Sequence, residues 1–537
     1  MALLTADGKH GYETNQQGLL DTPSSPVDSG SVIPVNDSPE LTDLTDDEPL
    51  KPSGLSLLQT CVVIFGLSGV AFCNSMTAGL LTVGLPVIAE DLDLPEHLLL
   101  WPSSAYALAC GCCLLLAGSI ADRVGDRAVN LVGAVLMAAS IAGTSVSKTG
   151  AQLIAFRVLQ GIAVSMCLPT GVSILTRSLP PGRARNIGFS CLGTTQPLGF
   201  SVGLVMEGAL EELGQWRYGY YISTAILGFF IVANWINLPA DVRPFELSSF
   251  SSLATDIDWI GVLIASTGLG LISYTCAVLS QNVRLLLHGG NMAALILPFV
   301  FIPAFFWWTK RQEDLGKPAL ISTSIWKNSI FLVISFTVFL TWGSFQSSIL
   351  MMSLFFQKVQ QVAPMAASVR LIPNVVVGVI LNPITGLFVQ RVKCYKLLTG
   401  TALVAAISPL LMALINPAWS WWICAFWAVA LGPVCVNVLF TLAHIIITDI
   451  FPSEMHALAG AVFQTMSQLG SSLGVSIIAI IFSSVTRASK IQDKTSPEAL
   501  MVGYRASFWA CFAMMIVCAI SAGGLRSLGK LGAAVAK

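Results

Sequence analysis

Residues 118–127 read GSIADRVGDR, four charges in ten positions, and the twenty residues on either side hold no Asp, Glu, Lys or Arg. A charged hairpin between two uncharged apolar runs, 99–121 and 129–147, has a direct physical reading. Each run is long enough, at about 1.5 Å per helical residue, to cross ~30 Å of hydrocarbon. The hairpin is then the turn that returns the chain to water. Gly125 suits the turn because it lacks the Cβ that forbids left-handed backbone, and Gly118 suits close helix approach at a span end.

The same alternation runs through most of the chain. Apolar stretches recur near 58–83, 99–121, 129–147, 151–176, 187–209, 219–238, 259–280, 292–308, 330–355, 366–389, 397–415, 420–447, 458–484 and 505–525. Only 11% of the 537 residues are charged, 54% are hydrophobic, and the mean hydropathy is +0.75. A soluble chain carries about 25% charged residues to coat its surface, whereas lipid-facing helices need none. The expectation is an all-α polytopic membrane protein with fourteen transmembrane helices. A net charge of −1 provides no basic field for nucleic acid. The thirteen cysteines lie mostly inside apolar runs, where they read as small packing residues, and no metal or cofactor is expected.

Residues 1–56 differ from the rest of the chain: rich in Ser, Pro, Asp and Glu and without apolar period, they read as a disordered acidic cytoplasmic tail. The remaining expected units are a six-helix bundle over 57–240, two linker helices with their loops over 241–326, a second six-helix bundle over 327–526, and a short cytoplasmic tail over 527–537. Lys and Arg gather in loops on the N-terminal side, among them Arg123, Arg127, Arg183, Arg185, Arg391, Lys393 and Lys396. They thin out on the other side, at Lys148, Arg217 and Lys358. The positive-inside rule then places both termini in the cytoplasm.

The pattern G-x3-D-R-x-G-x-R formed by Gly118, Asp122, Arg123, Gly125 and Arg127 closely resembles the signature loop of the major facilitator superfamily. Its charges can bond to the ends of neighbouring helices and latch one bundle against another in one conformation. Span four reads LIAFRVLQGIAVS, with Arg157, Gln160 and Gly161, and resembles the superfamily's span-four motif, whose arginine is thought to aid proton coupling. A charge inside a span costs about 2.5–3.5 kcal/mol on insertion scales, so it turns to a polar cavity or a partner. Span five, GTTQPLGFSVGLVMEG, resembles the Gly/Pro-rich run of exporters, although it lacks the Gly-Pro dipeptide and Glu207 interrupts its closing glycines.

The two halves also echo each other. Gly470 and Gly474 stand 271 positions after Gly199 and Gly203, and Gly432 stands 271 after Gly161. Gly386 follows Gly118 by 268, with Gln390 and Arg391 opposite Asp122 and Arg123. Duplicated bundles with two spans between them are similar to the fourteen-span drug:proton antiporters, including fungal members, and the likeness covers roughly residues 57–525. One departure stands out. That family often carries an Asp shortly before an A-L-P-x-I stretch in span one, and here Thr77 holds that position before GLPVI. Arg157, Glu207 and His444 remain the candidates for proton coupling.

Polar and aromatic residues inside spans are candidates for a substrate path: Asn74, Tyr106, Gln160, Gln196, Trp342, Gln346, Asn382, Gln464 and Gln468. A mixed cavity of this kind suits a moderately hydrophobic organic molecule. The resemblance implies a monomeric plasma-membrane carrier, with a vacuolar or vesicular membrane as the alternative, that exports a drug, toxin or secondary metabolite by proton antiport. Uptake or facilitated diffusion of a small polar or inorganic solute is the second reading, and a transporter-like receptor the third. No Walker A loop, H-E-x-x-H or G-x-S-x-G motif is present, so an enzyme is not expected.

Overall fold

The first helix, α1 (Leu57–Asp91), runs through Pro86 and ends two turns beyond the expected residue 83. It opens a computed structural model that describes residues 57–95, 98–178, 183–239, 257–281, 289–317, 328–388, 392–440, 442 and 456–524, all within one contact-linked unit. The N-terminal bundle continues with α2 (Trp101–Val124), α3 (Asp126–Ser145), α4 (Gly150–Ser178), α5 (Arg183–Glu212) and α6 (Trp216–Asn237). Two further helices, α7 (Trp259–Gln281) and α8 (Gly289–Asp314), pack on each other. The C-terminal bundle comprises α9 (Ser329–Leu354), α10 (Pro364–Phe388), α11 (Cys394–Leu414), α12 (Ala425–Leu431), α13 (His456–Ala488) and α14 (Pro497–Gly523). After a break at Gly432 and Pro433, α12 continues as apolar helix to Phe440.

Among the described residues, eleven helices are long and apolar enough to cross a membrane: α1–α4, α6, α8–α11, α13 and α14. Helices α7 and α12 contribute the shorter apolar segments Trp259–Ile272 and Ala425–Phe440. Helix α5 stands apart because Thr194, Thr195, Gln196 and Glu207 interrupt it.

The duplication is visible in the packing. A Cβ placed on Gly199 would run into the Phe72 carbonyl of α1, and one on Gly470 into the Phe339 carbonyl of α9. Gly203 likewise abuts Met76, and Gly474 abuts Gly343. The contacted residues are 267 positions apart in both cases, so α9 and α13 repeat the crossing of α1 and α5. Without water inside the bilayer, such backbone-to-backbone approach is the main source of helix attraction, and only glycine permits it. The Gly161–Gly432 correspondence does not extend to this geometry. Gly161 lies against the Tyr106 carbonyl, whereas a Cβ on Gly432 would sit in ordinary contact, 3.4 Å from Ser408 Oγ. Gly432 instead stands, with Pro433, at a break in its helix.

The halves touch through α2 with α13, α5 with α10, and α1 with α9. Among the described residues, their hydrogen bonds cluster at the end opposite the 118–127 hairpin, here called the far end. The Ser104 hydroxyl bonds to the Ser472 carbonyl at 2.9 Å and to Ser476 Oγ at 2.8 Å. The Ser353 hydroxyl donates to the Thr82 carbonyl at 2.7 Å, and Gln357 Nε2 donates to the Val83 carbonyl at 2.9 Å. Pro86 explains the first acceptor: with no N–H, it leaves the carbonyl four residues earlier, on Thr82, free. A π-helical turn, Phe355–Val359, comes directly after α9 and carries Gln357.

Candidate functional site

A chain of buried polar groups ties helices of the N-terminal bundle together. Arg157 on α4 is 2% exposed, and its Nη1 donates to Gln160 Oε1 at 2.8 Å, one turn along the same helix. Gln160 Nε2 in turn donates to the Thr77 hydroxyl of α1 at 2.8 Å. Thr77 Oγ1 donates to the Asn74 carbonyl at 2.7 Å, and the Tyr106 hydroxyl of α2 reaches Asn74 Oδ1 at 2.9 Å. The Arg157 guanidinium lies over the Tyr106 ring, 5.0 Å from its centroid. Five residues singled out in the sequence for separate reasons, Asn74, Thr77, Tyr106, Arg157 and Gln160, therefore form one network. Charge-assisted bonds in such a chain polarise one another, so displacing Arg157 would be felt at Asn74.

Glu207 on α5, in the same bundle, is fully buried. Neither of its carboxyl oxygens has a hydrogen-bond partner among the described residues. Gly84 of α1 and Gly219 of α6 make room for the carboxyl, since a Cβ on either would collide with it. Glu211, one turn on, is also buried with both oxygens unpartnered, and the buried Tyr220 hydroxyl of α6 has no partner either. Glu211 and Tyr220 were not singled out in the sequence, although the i, i+4 spacing of the two glutamates on one helix face was available there.

In the C-terminal half Trp342 packs edge-on against Phe463 and tilts toward Phe440, with ring centroids 5.9 Å and 6.5 Å apart. Gln346, Gln464 and Gln468 are half-buried, and Gln196 of α5 is exposed. Gln468 lies close to Gly111 of α2, at the contact between halves. Arg370 on α10 bonds to Gln360 at 2.7 Å and lies over the Phe356 ring; no sequence motif pointed to it. The positions of His444, Gln390 and Arg391, and the side chains of Asn382 and Asp122, lie outside the described residues.

The 118–127 hairpin bonds within its own bundle. Arg127 donates to the Trp235 carbonyl of α6 at 2.7 Å, Arg123 to the Ser119 carbonyl at 3.1 Å, and Ser173 of α4 to Asp126 at 2.6 Å. Gly125 adopts φ +113°, as its place in the turn requires. Among the described residues, a Cβ on Gly118 meets nothing within 4 Å.

Known proteins share this architecture. The Major Facilitator Superfamily profile matches residues 67–475. MFS-type transporter 1 of Pyricularia oryzae is 36% identical over 89% of this chain and 86% of its own length. The low affinity ammonium transporter of Saccharomyces cerevisiae is 24% identical over 76% of this chain and 77% of its own, and efflux pump terG of Aspergillus terreus 23% over 93% and 91%. Among solved structures, the peptide transporter POT in complex with sulfate superposes with a TM-score of 0.63 over 87% of this chain and 96% of that one, at 16% identity, a likeness of fold alone. The paired glycine crossings, the charged 118–127 hairpin and the length of these matches agree. The chain belongs to the Major Facilitator Superfamily and is a secondary transporter embedded in a membrane, not an enzyme.

Proposed function

We propose that the protein exports a small organic compound, a drug, toxin or secondary metabolite, by alternating access and in exchange for protons. The observation that carries this reading is the buried network from Arg157 through Gln160 and Thr77 to Asn74. It joins a fixed cation to half-buried polar groups that, with Gln346, Gln464, Gln468 and Trp342, are proposed to line the substrate path between the halves. The named efflux pump among the relatives supports the direction. The reading includes fourteen spans in a six, two, six arrangement with both termini cytoplasmic, a monomer, and the plasma membrane as its location. The 118–127 hairpin is proposed to latch the halves when the far end opens.

A second reading is favoured by the ammonium transporter among the relatives and by the neutral Thr77 at the family's acidic position: facilitated movement of a small polar or inorganic solute. Energised membrane vesicles separate the two. Export predicts that a toxic organic from a growth-sensitivity panel accumulates in inside-out vesicles when the lumen is acid, and that an uncoupler abolishes the accumulation. Equilibration of the solute without accumulation, unaffected by the uncoupler, would establish the second reading and remove the first.

A further inference from the structure

Two carboxyl groups sit in the N-terminal bundle with nothing to hold them. Glu207 and Glu211 are one helical turn apart on α5, and none of their four oxygens has a hydrogen-bond partner among the described residues. Leaving an ionised carboxylate buried and unpaired is expensive, and most buried polar groups are paired. Among the described residues, the neighbours facing them provide no cation in contact. Helix α1 presents Gly84; α6 presents Gly219 and Tyr220; α10 meets α5 at Gly208 with Met365 and Ser368. Arg217, at the far end, is paired with Asp91 at 2.6 Å and engaged with Trp216 and the Ser147 carbonyl, and Glu212 is exposed.

Two independent features mark this as a built site. Gly84 and Gly219 bracket the Glu207 carboxyl from two other helices, so its place is shaped from outside α5. Tyr220 directly follows Gly219, which abuts the Glu207 carboxyl, and among the described residues neither its buried hydroxyl nor the buried Nε of Arg157 has a hydrogen-bond partner. Buried groups that neither donate to nor accept from one another in this way accommodate a proton, the one ligand that requires no cavity.

We propose that Glu207 and Glu211 together form a proton-binding site, holding one proton between them, whose occupancy is felt by Arg157 through Tyr220. Glu211, in the last turn of α5, takes the proton at the far end. Transfer breaks the O–H bond on Glu211 and forms one on Glu207, and the negative charge moves the other way. When the pair is ionised, its charge draws Arg157 from Gln160 toward Tyr220. When it is protonated, Arg157 stays on Gln160 and the chain to Asn74 is intact. The inference deepens the transport reading by locating its coupling ion, and it rests on that reading only for its purpose, because its test needs no substrate.

Infrared spectra of the purified protein across a pH titration test it. The expected result is a protonated-carboxyl C=O band that is absent from the double variant Glu207→Gln/Glu211→Gln. In either single variant the midpoint of the remaining carboxyl should move by about 1 pH unit or more, as for sites sharing a proton. An unchanged band in the double variant, or independent titration of the two groups, would overturn the proposal. So would a band displaced by added sodium at fixed pH, which would make this a metal-cation site. The native chain provides a second arm should the variants misfold. Reaction with a hydrophobic carbodiimide, mapped by peptide mass, should place a pH-dependent adduct on Glu207 or Glu211; no adduct at either refutes the site.

Discussion

The Ser353 hydroxyl donates to the Thr82 carbonyl across 2.7 Å, using the acceptor that Pro86 leaves free within α1. A helix-breaking residue in one half thus makes the docking point for the other. Pro86→Ala would return an N–H to residue 86 and make it compete for that carbonyl. The expected effect is a loss of about 1 kcal/mol from the closed far end, a several-fold shift in population. Electron–electron distances between spin labels at the exposed Leu213 and Gln361 would lengthen in a larger fraction of molecules; an unchanged distribution would show that Pro86 has no part in closure.

Ser104 and Ser476 face each other across the halves with 2.8 Å between their hydroxyl oxygens. The double variant Ser104→Cys/Ser476→Cys should cross-link under mild oxidation and stop transport, with activity restored by a reductant. Continued transport in fully cross-linked protein would mean that these helices need not part.

The paired glycine crossings predict paired consequences. Gly203→Val and Gly474→Val each drive a side chain into the facing helix, at a cost of about 1–3 kcal/mol or more, and both should lower the amount of folded protein in the membrane. Gly118→Ala, with nothing among the described residues within 4 Å of the added Cβ, should leave that amount unchanged. Quantitative blots with fluorescence-detected size exclusion would reveal whether the two valine variants behave alike.

Arg157→Ala should abolish transport with the protein still in the membrane. Arg157→Lys should recover little, because a point charge cannot reproduce the guanidinium's bond to Gln160 together with its stacking on Tyr106. Thr77→Val removes the acceptor for the buried Gln160 amide, and thermal unfolding in detergent should register a loss of about 1–3 kcal/mol. Near-normal flux in Arg157→Ala would remove the network from the mechanism.

Most of the fold was legible because hydrophobic length and close-packing glycines leave direct marks in a sequence. Gly199, Gly203, Gly470 and Gly474 could be aligned by eye, since no other residue tolerates a carbonyl at that distance. Thr77 was noticed as a missing acid, but its bond to Gln160, 83 positions away, depends on the rotation of two helices, which period alone does not reveal. The burial of Glu207 was hidden for the same reason. Ser104, Ser472, Ser476 and Ser353 carried no signal, because serine in an apolar helix ordinarily bonds to its own backbone. The break in α12 could have been read from Gly432–Pro433, where glycine alignment drew attention instead.

The bonds that fasten the far end, among the described residues, run from hydroxyls and an amide to carbonyls and hydroxyls, with no ion pair among them. Dissolved electrolyte screens charges over about 10 Å at 0.1 M but leaves neutral hydrogen bonds nearly untouched. A closure built this way keeps the same strength in dilute medium and in brine, so the solution bathing that end can change in salinity without loosening it.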